Sequence, residues 1–126
     1  MAEERGRILG IGGVFLKSGD AARLGAWYAE KLGLPVKGGC AQFEWLSKDA
    51  PQREHQTVWS LFPESSDYFG GAAMINYVVD DLDAFLAKAE AGGVRIDPKR
   101  EDYDYGRFAW IYDADGNKIE LWEPRG

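Results

Sequence analysis

A single histidine, His55, and a single cysteine, Cys40, limit the chemistry open to this 126-residue chain. A catalytic zinc takes about three protein ligands, so neither a multi-His centre nor a Cys-based zinc site can be assembled from one copy. An internal disulfide and a two-His acid/base pair are excluded by the same counting. His55 reads as a solvated residue at the start of a strand, with a ligand role as the alternative. Cys40 reads as a small buried strand residue, since no nearby histidine marks it as a nucleophile. Glu101, Asp102 and Asp104 crowd one stretch, where a solvated charge run and a calcium or magnesium site are the competing readings.

Composition narrows the partners. With 15 basic and 21 acidic residues the net charge is −6, which argues against nucleic acid, because phosphate affinity rests on clustered Lys and Arg. No apolar stretch reaches membrane length and the first residues carry no apolar leader core. The expectation is therefore a cytoplasmic chain with no membrane partner, folded as one domain over 1–126.

The elements that must position these residues follow from periodicity. Ile8–Lys17 is an apolar run ending at Ser18-Gly19-Asp20, which predicts a strand and then a helix cap at Asp20. Leu24, Trp27, Tyr28 and Leu32 recur at helical spacing as the buried face, and Gly33 stands at the left-handed C-terminal position. Cys40–Ser47 and Gln56–Phe62 read as strands. Past the linker Ser65–Gly71 the order repeats: strand Ala73–Val79, a cap at Asp80 or Asp81, and a helix carrying Leu82, Phe85, Leu86 and Ala89. A short strand near Val94–Ile96, a charged loop Lys99–Gly106, strand Arg107–Tyr112, turn Asp113–Asn117 and strand Lys118–Glu123 complete the chain. The turn DADGN tolerates the positive φ that tight hairpins need. A shift of 61 residues lays Asp20 on Asp81 and Leu61-Phe62-Pro63 on Trp122-Glu123-Pro124, which points to an internal duplication.

The segments GGVFLKSGD…WYAEKLGL, VVDDLDAFLAKAEAGGV and YGRFAWIYDADGNKIELWEP resemble the vicinal-oxygen-chelate superfamily over nearly the whole chain. That group includes glyoxalase I, bleomycin-resistance proteins, fosfomycin-resistance enzymes and extradiol dioxygenases. The resemblance implies an α+β fold of two βαβββ modules, about 1–70 and 71–126, whose curved mixed sheet surrounds a cleft. It also implies a homodimer. In metal-using members, His or Gln on each first strand and Glu on a last strand supply the ligands. The corresponding positions here are Gly13, Met74, Glu120 and, by the repeat, Trp59. Only Glu120 is a plausible ligand, so the fold carries over and the metal chemistry does not; a divalent metal through Glu120 alone stays open as an alternative.

Strand alternation then sorts the faces. If Gly13 and Met74 face the cleft, so do Phe15, Lys17, Asn76 and Val78, and Trp59, Leu61, Glu120 and Trp122 join them, while Val14, Leu16, Ile75, Tyr77 and Val79 lie under the helices. Tyr103, Tyr105 and Arg107 resemble the segment that overlies the cleft in relatives, with a solvated loop of partly buried rings as the alternative. Phe15, Trp59, Met74, Asn76, Tyr105, Arg107 and Trp122 are accordingly the candidate ligand-binding residues and Glu120 the candidate catalytic one. Two readings compete: a binder of a small aromatic or apolar organic ligand without the family metal, and a glyoxalase-like lyase or isomerase using Glu120 as general base. A third, a metal enzyme completed by a second subunit or by substrate, is separated from both by metal analysis.

Overall fold

The computed structural model describes residues 5–48 and 50–125. The first residues, Met1–Glu4, where no apolar leader core was expected, lie outside the described residues. In chain order the elements are β1 (Ile8–Ser18), α1 (Ala21–Leu32), β2 (Cys40–Leu46), β3 (Glu54–Pro63), β4 (Ala73–Val79), α2 (Leu82–Ala91), β5 (Arg95–Tyr103), β6 (Gly106–Tyr112) and β7 (Lys118–Pro124). This is the α+β class, with βαββ through β3 followed by βαβββ from β4, so the first copy has one strand fewer than the two βαβββ modules expected. The chain divides into two compact units, Gly12–Met74 and a second built from residues through Ile11 together with Ile75 onward; each is described by itself.

In the α1 unit β2 pairs antiparallel with β3, and β3 runs parallel to β1. The Asp20 carboxylate accepts from Arg23 N and caps α1, and Gly33 ends it at φ 72°. Both were marked by the sequence. The helix, however, buries less than its spacing suggests: Trp27 is 47% and Leu32 63% exposed. Its contact with the sheet is made through the small residue Gly25, which sits against Val36 and Leu61. Close approach at a glycine leaves the flanking large side chains outside the contact.

In the α2 unit β4 runs parallel to β7, and β7, β6 and β5 follow antiparallel. Asp81 is the helix cap, accepting from Ala84 N at 3.0 Å. Asp80 instead ties down the chain ahead of β1, its carboxylate accepting from Gly6 N and Arg7 N at 2.8 and 2.7 Å. Burial opposes ionisation of Asp80, but the N–H donors of Arg7, Gly6 and Asp81 together outweigh it and hold its carboxyl below the usual range. The core joins Val79, Leu82, Leu86, Ala109, Ile111 and Leu121, ringed by Tyr77, Phe85, Ile96 and Ile119. Full burial of a Leu or Val side chain stabilises by about 1.5–3 kcal/mol, so this cluster fixes which face of the sheet meets α2.

The segment expected as a charged loop is strand. β5 continues to Tyr103 with an irregularity between Ile96 and Arg100, and the turn to β6 is only Asp104 and Tyr105. Its charges are accommodated because β5 pairs on one side only, leaving alternate side chains in water. The DADGN turn closes as its residues require. Asp113 Oδ1 accepts from Asp115 N and Asn117 N, and Gly116 has φ 86°.

Candidate functional site

Glu120 lies on β7 in register with Asn76 of β4 on one side and Trp110 of β6 on the other. Residues in register share a sheet face, and all three point away from the α2 core. The carboxylate is 4% exposed and both oxygens are engaged. Asn76 Nδ2 donates to Oε1 at 2.7 Å, and Trp110 Nε1 donates to Oε2 at 3.1 Å. The other amide atom, Asn76 Oδ1, is buried and has no hydrogen-bond partner. Val78, Trp122 and Phe108 continue the face by register. Phe108 and Trp122 stack at 5.9 Å, 6° from parallel. Tyr103 and Tyr105, stacked on each other at 5.2 Å, each meet Phe108 edge-on at 5.9 Å. Glu101 accepts from the Tyr103 hydroxyl at 2.6 Å and pushes that phenol up to about 12, so it stays protonated at neutral pH.

The sheet face therefore brings together Asn76, Glu120 and Trp122 among the expected residues, with Tyr105 at its turn end. Trp110 and Phe108 had no assigned face from strand alternation. The signal that places them is the DADGN turn, which sets Tyr112 opposite Lys118 and hence Trp110 opposite Glu120.

Arg107 does not belong to this face. It lies one residue before Phe108 and so points to the α2 side, where its guanidinium meets Asp83 Oδ1 at 2.9 Å and Glu123 at 3.6 Å. The Asp83 bond raises the Arg107 pKa further and holds the Asp83 carboxyl below its ordinary range.

In the α1 unit Trp59 is the principal correction. Asn76, five residues before the Asp81 cap, pairs with Glu120, whereas Phe15, five before the Asp20 cap, pairs with Ser60. The last strands of the two repeats are thus offset by 60 residues where the caps are offset by 61. One residue of slip moves every side chain to the other face. Ser60, not Trp59, is the counterpart of Glu120. Trp59 packs on the helix side, edge-on to Tyr28 of α1 at 4.8 Å, with Leu61 beside it against Gly25. Phe15 keeps its expected face, in contact with Phe62 at 5.5 Å. Lys17 donates to the Phe69 carbonyl and lies over the Phe69 ring. Met74 is buried, 1% exposed.

His55 and Cys40 also differ from expectation. His55 is 4% exposed and stacked on Trp45 at 4.6 Å, because Trp45 stands directly opposite it across the β2–β3 pair. Burial, aided by the charge of Arg53, lowers its pKa. Cys40, at the start of the edge strand, is exposed, with Sγ 3.3 Å from Ser60 Oγ.

A family metal does not fit this donor set. Gly13 offers no side chain, Met74 offers only a thioether, and both Glu120 oxygens are approached by N–H donors that a cation would have to displace. Among the described residues no group of three or more His, Cys, Asp or Glu is placed to hold a metal ion.

The family model described as Glyoxalase/Bleomycin resistance protein/Dioxygenase superfamily matches residues 10–121. The chain belongs to this superfamily. Solved structures of the superfamily fold similar to it include methylmalonyl-CoA epimerase from Mycobacterium tuberculosis, 23% identical, covering 100% of this chain and 94% of that one, TM-score 0.60. A variant of the Streptomyces coelicolor methylmalonyl-CoA epimerase in complex with 2-nitronate-propionyl-CoA is 15% identical, covering 95% and 100%, TM-score 0.67. At these identities the likeness is one of fold. No curated protein matches the chain. Among the described residues no helix is long and apolar enough to cross a membrane.

Proposed function

We propose that this superfamily member binds a small organic ligand, largely apolar or aromatic, on the Glu120 face and without the family metal. The observation that carries the reading is the Glu120 carboxylate, buried on an aromatic sheet face and fixed there by Asn76 and Trp110. A charge is costly to bury and is held this firmly where its position matters. The stacked Phe108–Trp122 pair beside it supplies a flat apolar surface, the usual composition of a small-molecule site with few polar groups. The proposal includes a cytoplasmic homodimer in which residues 1–126 act as one domain, checked by sedimentation of the purified chain.

A second reading, a lyase or isomerase with Glu120 as general base, is favoured by the similarity to epimerases, one of them solved with methylmalonyl-CoA. Proton abstraction would need a substrate C–H within hydrogen-bond reach of a carboxylate oxygen. Glu120→Gln separates the two. Wild-type chain and variant are titrated with methylmalonyl-CoA and aromatic fragments, and deuterium uptake at the acidic C–H is followed in D2O. Binding without exchange in both proteins supports the binder. Exchange lost only in the variant supports catalysis, and no binding of any compound refutes both.

A further inference from the structure

We propose that a cavity beside α1 binds a small aromatic zwitterion of the α-amino-acid type, at a site built from other residues than the Glu120 face and independent of any ligand there. The cavity measures about 580 Å³, inside the ~300–1,000 Å³ span of small-molecule sites. It is lined by Ser18, Asp20, Arg23, Leu24, Trp27 and Tyr28, all from the end of β1 and the first turns of α1. From Asp20 onward these recur at three- and four-residue spacing, so they share one side of the helix. Leu24, Trp27 and Tyr28 have the spacing of a buried face, but Gly25 makes the contact with Val36 and Leu61. The large side chains are left to the cavity, with Trp27 47% exposed and edge-on to Tyr28 at 5.3 Å.

The charges on the cavity wall specify the polar end of the ligand. Arg5, Arg7, Arg100, Arg107 and Arg125 each meet a carboxylate at 2.7–3.6 Å, whereas among the described residues the Arg23 guanidinium has no ion pair, with Asp20 or any other acid. A guanidinium held at a cavity wall is a fork for a carboxylate. One turn earlier the wall is acidic. Asp20 is fixed there by two bonds, its Oδ1 accepting from Arg23 N and its own N–H donating to Ser18 Oγ, both at 3.1 Å. Glu64 Oε1 adds a second carboxylate, 3.3 Å from where a Cβ on Gly19 would stand. A ligand carrying only an anion therefore meets Asp20 and Glu64 as well as Arg23, and one carrying only a cation meets Arg23 unmatched. An ammonium and a carboxylate on one carbon answer both, and the ring beyond them has Leu24, Trp27 and Tyr28 to pack on.

The test uses L-phenylalanine, phenethylamine and 3-phenylpropionate, which share the ring and differ in the charges they carry. Binding to the full chain is measured by ligand-observed NMR and by tryptophan emission, to which none of the probes contributes. L-Phenylalanine is expected to bind about tenfold more tightly than either analogue, the loss that follows from one missing charge-assisted hydrogen bond. Arg23→Gln is expected to bring L-phenylalanine and phenethylamine to about parity. Asp20→Asn, which keeps a good helix cap, is expected to do the same for L-phenylalanine and 3-phenylpropionate. An emission change absent from Trp27→Phe would place the ring in this cavity. Equal binding of the three probes by the wild-type chain, or no saturable binding, overturns the inference without reference to any variant, as do preferences that survive in Arg23→Gln and Asp20→Asn. A dimer in sedimentation that Trp27→Lys dissociates, with no amino acid bound by the wild-type chain, gives this face to a second copy and overturns it too.

Discussion

Asn76→Val removes one bonded and one unbonded amide atom, and the two losses act in opposite directions. Nδ2 donates to a buried carboxylate at 2.7 Å, and hydrogen bonds to charged groups contribute about 1.5–3 kcal/mol. Its removal takes that one bond from Glu120 Oε1. Oδ1 has no partner, and an unsatisfied buried acceptor costs about 1–3 kcal/mol, so its removal is favourable by a similar amount. Valine is one heavy atom shorter than asparagine and suits a strand, so overpacking does not enter. The net change is expected to lie within about 1 kcal/mol of zero. Trp110→Phe has no such compensation. It removes the Nε1–Oε2 bond of 3.1 Å and part of a ring that is 1% exposed, for an expected loss of about 2–4 kcal/mol. Equilibrium unfolding in guanidinium, followed by far-ultraviolet circular dichroism because tryptophan emission changes in one variant, measures both. An Asn76→Val loss equal to or larger than that of Trp110→Phe refutes the reasoning, since Oδ1 would then be as well bonded in the folded chain as Nδ2.

Trp59→Ala is expected to cost about 3–5 kcal/mol in the same unfolding assay, as befits a ring packed on Tyr28 under α1; a loss below about 1 kcal/mol would return Trp59 to an open face. Because burial lowers the His55 pKa, the folded chain binds that proton less readily than the unfolded chain, whose value is about 6.5. Stability is therefore expected to rise with pH through the window below about 6.5 and to be lost as pH falls through it, a slope that His55→Phe removes in pH-resolved thermal melts. Gly6→Ala would place a Cβ 2.7 Å from Phe85 N and 2.8 Å from Ala84 C at φ 83°; a loss of about 2 kcal/mol or more follows from the clash and the backbone strain together. Arg107→Ala is expected to change stability by less than about 1 kcal/mol, because Asp83 is 67% exposed, and to leave binding on the Glu120 face unaltered in the fragment titration.

Local chemistry was legible wherever a few neighbouring residues settle the structure. Asp20 and Gly33 bound α1, Asp81 caps α2, and DADGN closes the last hairpin, because side-chain oxygens reach N–H groups two or three residues away and glycine alone takes positive φ without strain. The alternation of β4 and β7 likewise put Asn76 and Glu120 on one face and Tyr77 and Val79 on the other. The superfamily could be read from the same segments. Counting one histidine and one cysteine excluded a multi-His or Cys-based zinc centre within one copy.

What only the tertiary structure decided depends on which residue stands opposite which across strands far apart in sequence. The one-residue slip between the repeats put Ser60 where Trp59 was expected, a difference no local pattern encodes because both registers keep an alternating apolar run. Pairing also turned the charged segment after Ile96 into β5, turned Arg107 toward Asp83, and covered His55 with Trp45. The unpartnered Asn76 Oδ1 is of the same kind. The sequence put an amide and a carboxylate on one face; the short bond of Nδ2 to Glu120, which leaves the other end of the amide without a donor, exists only once β4 and β7 lie side by side.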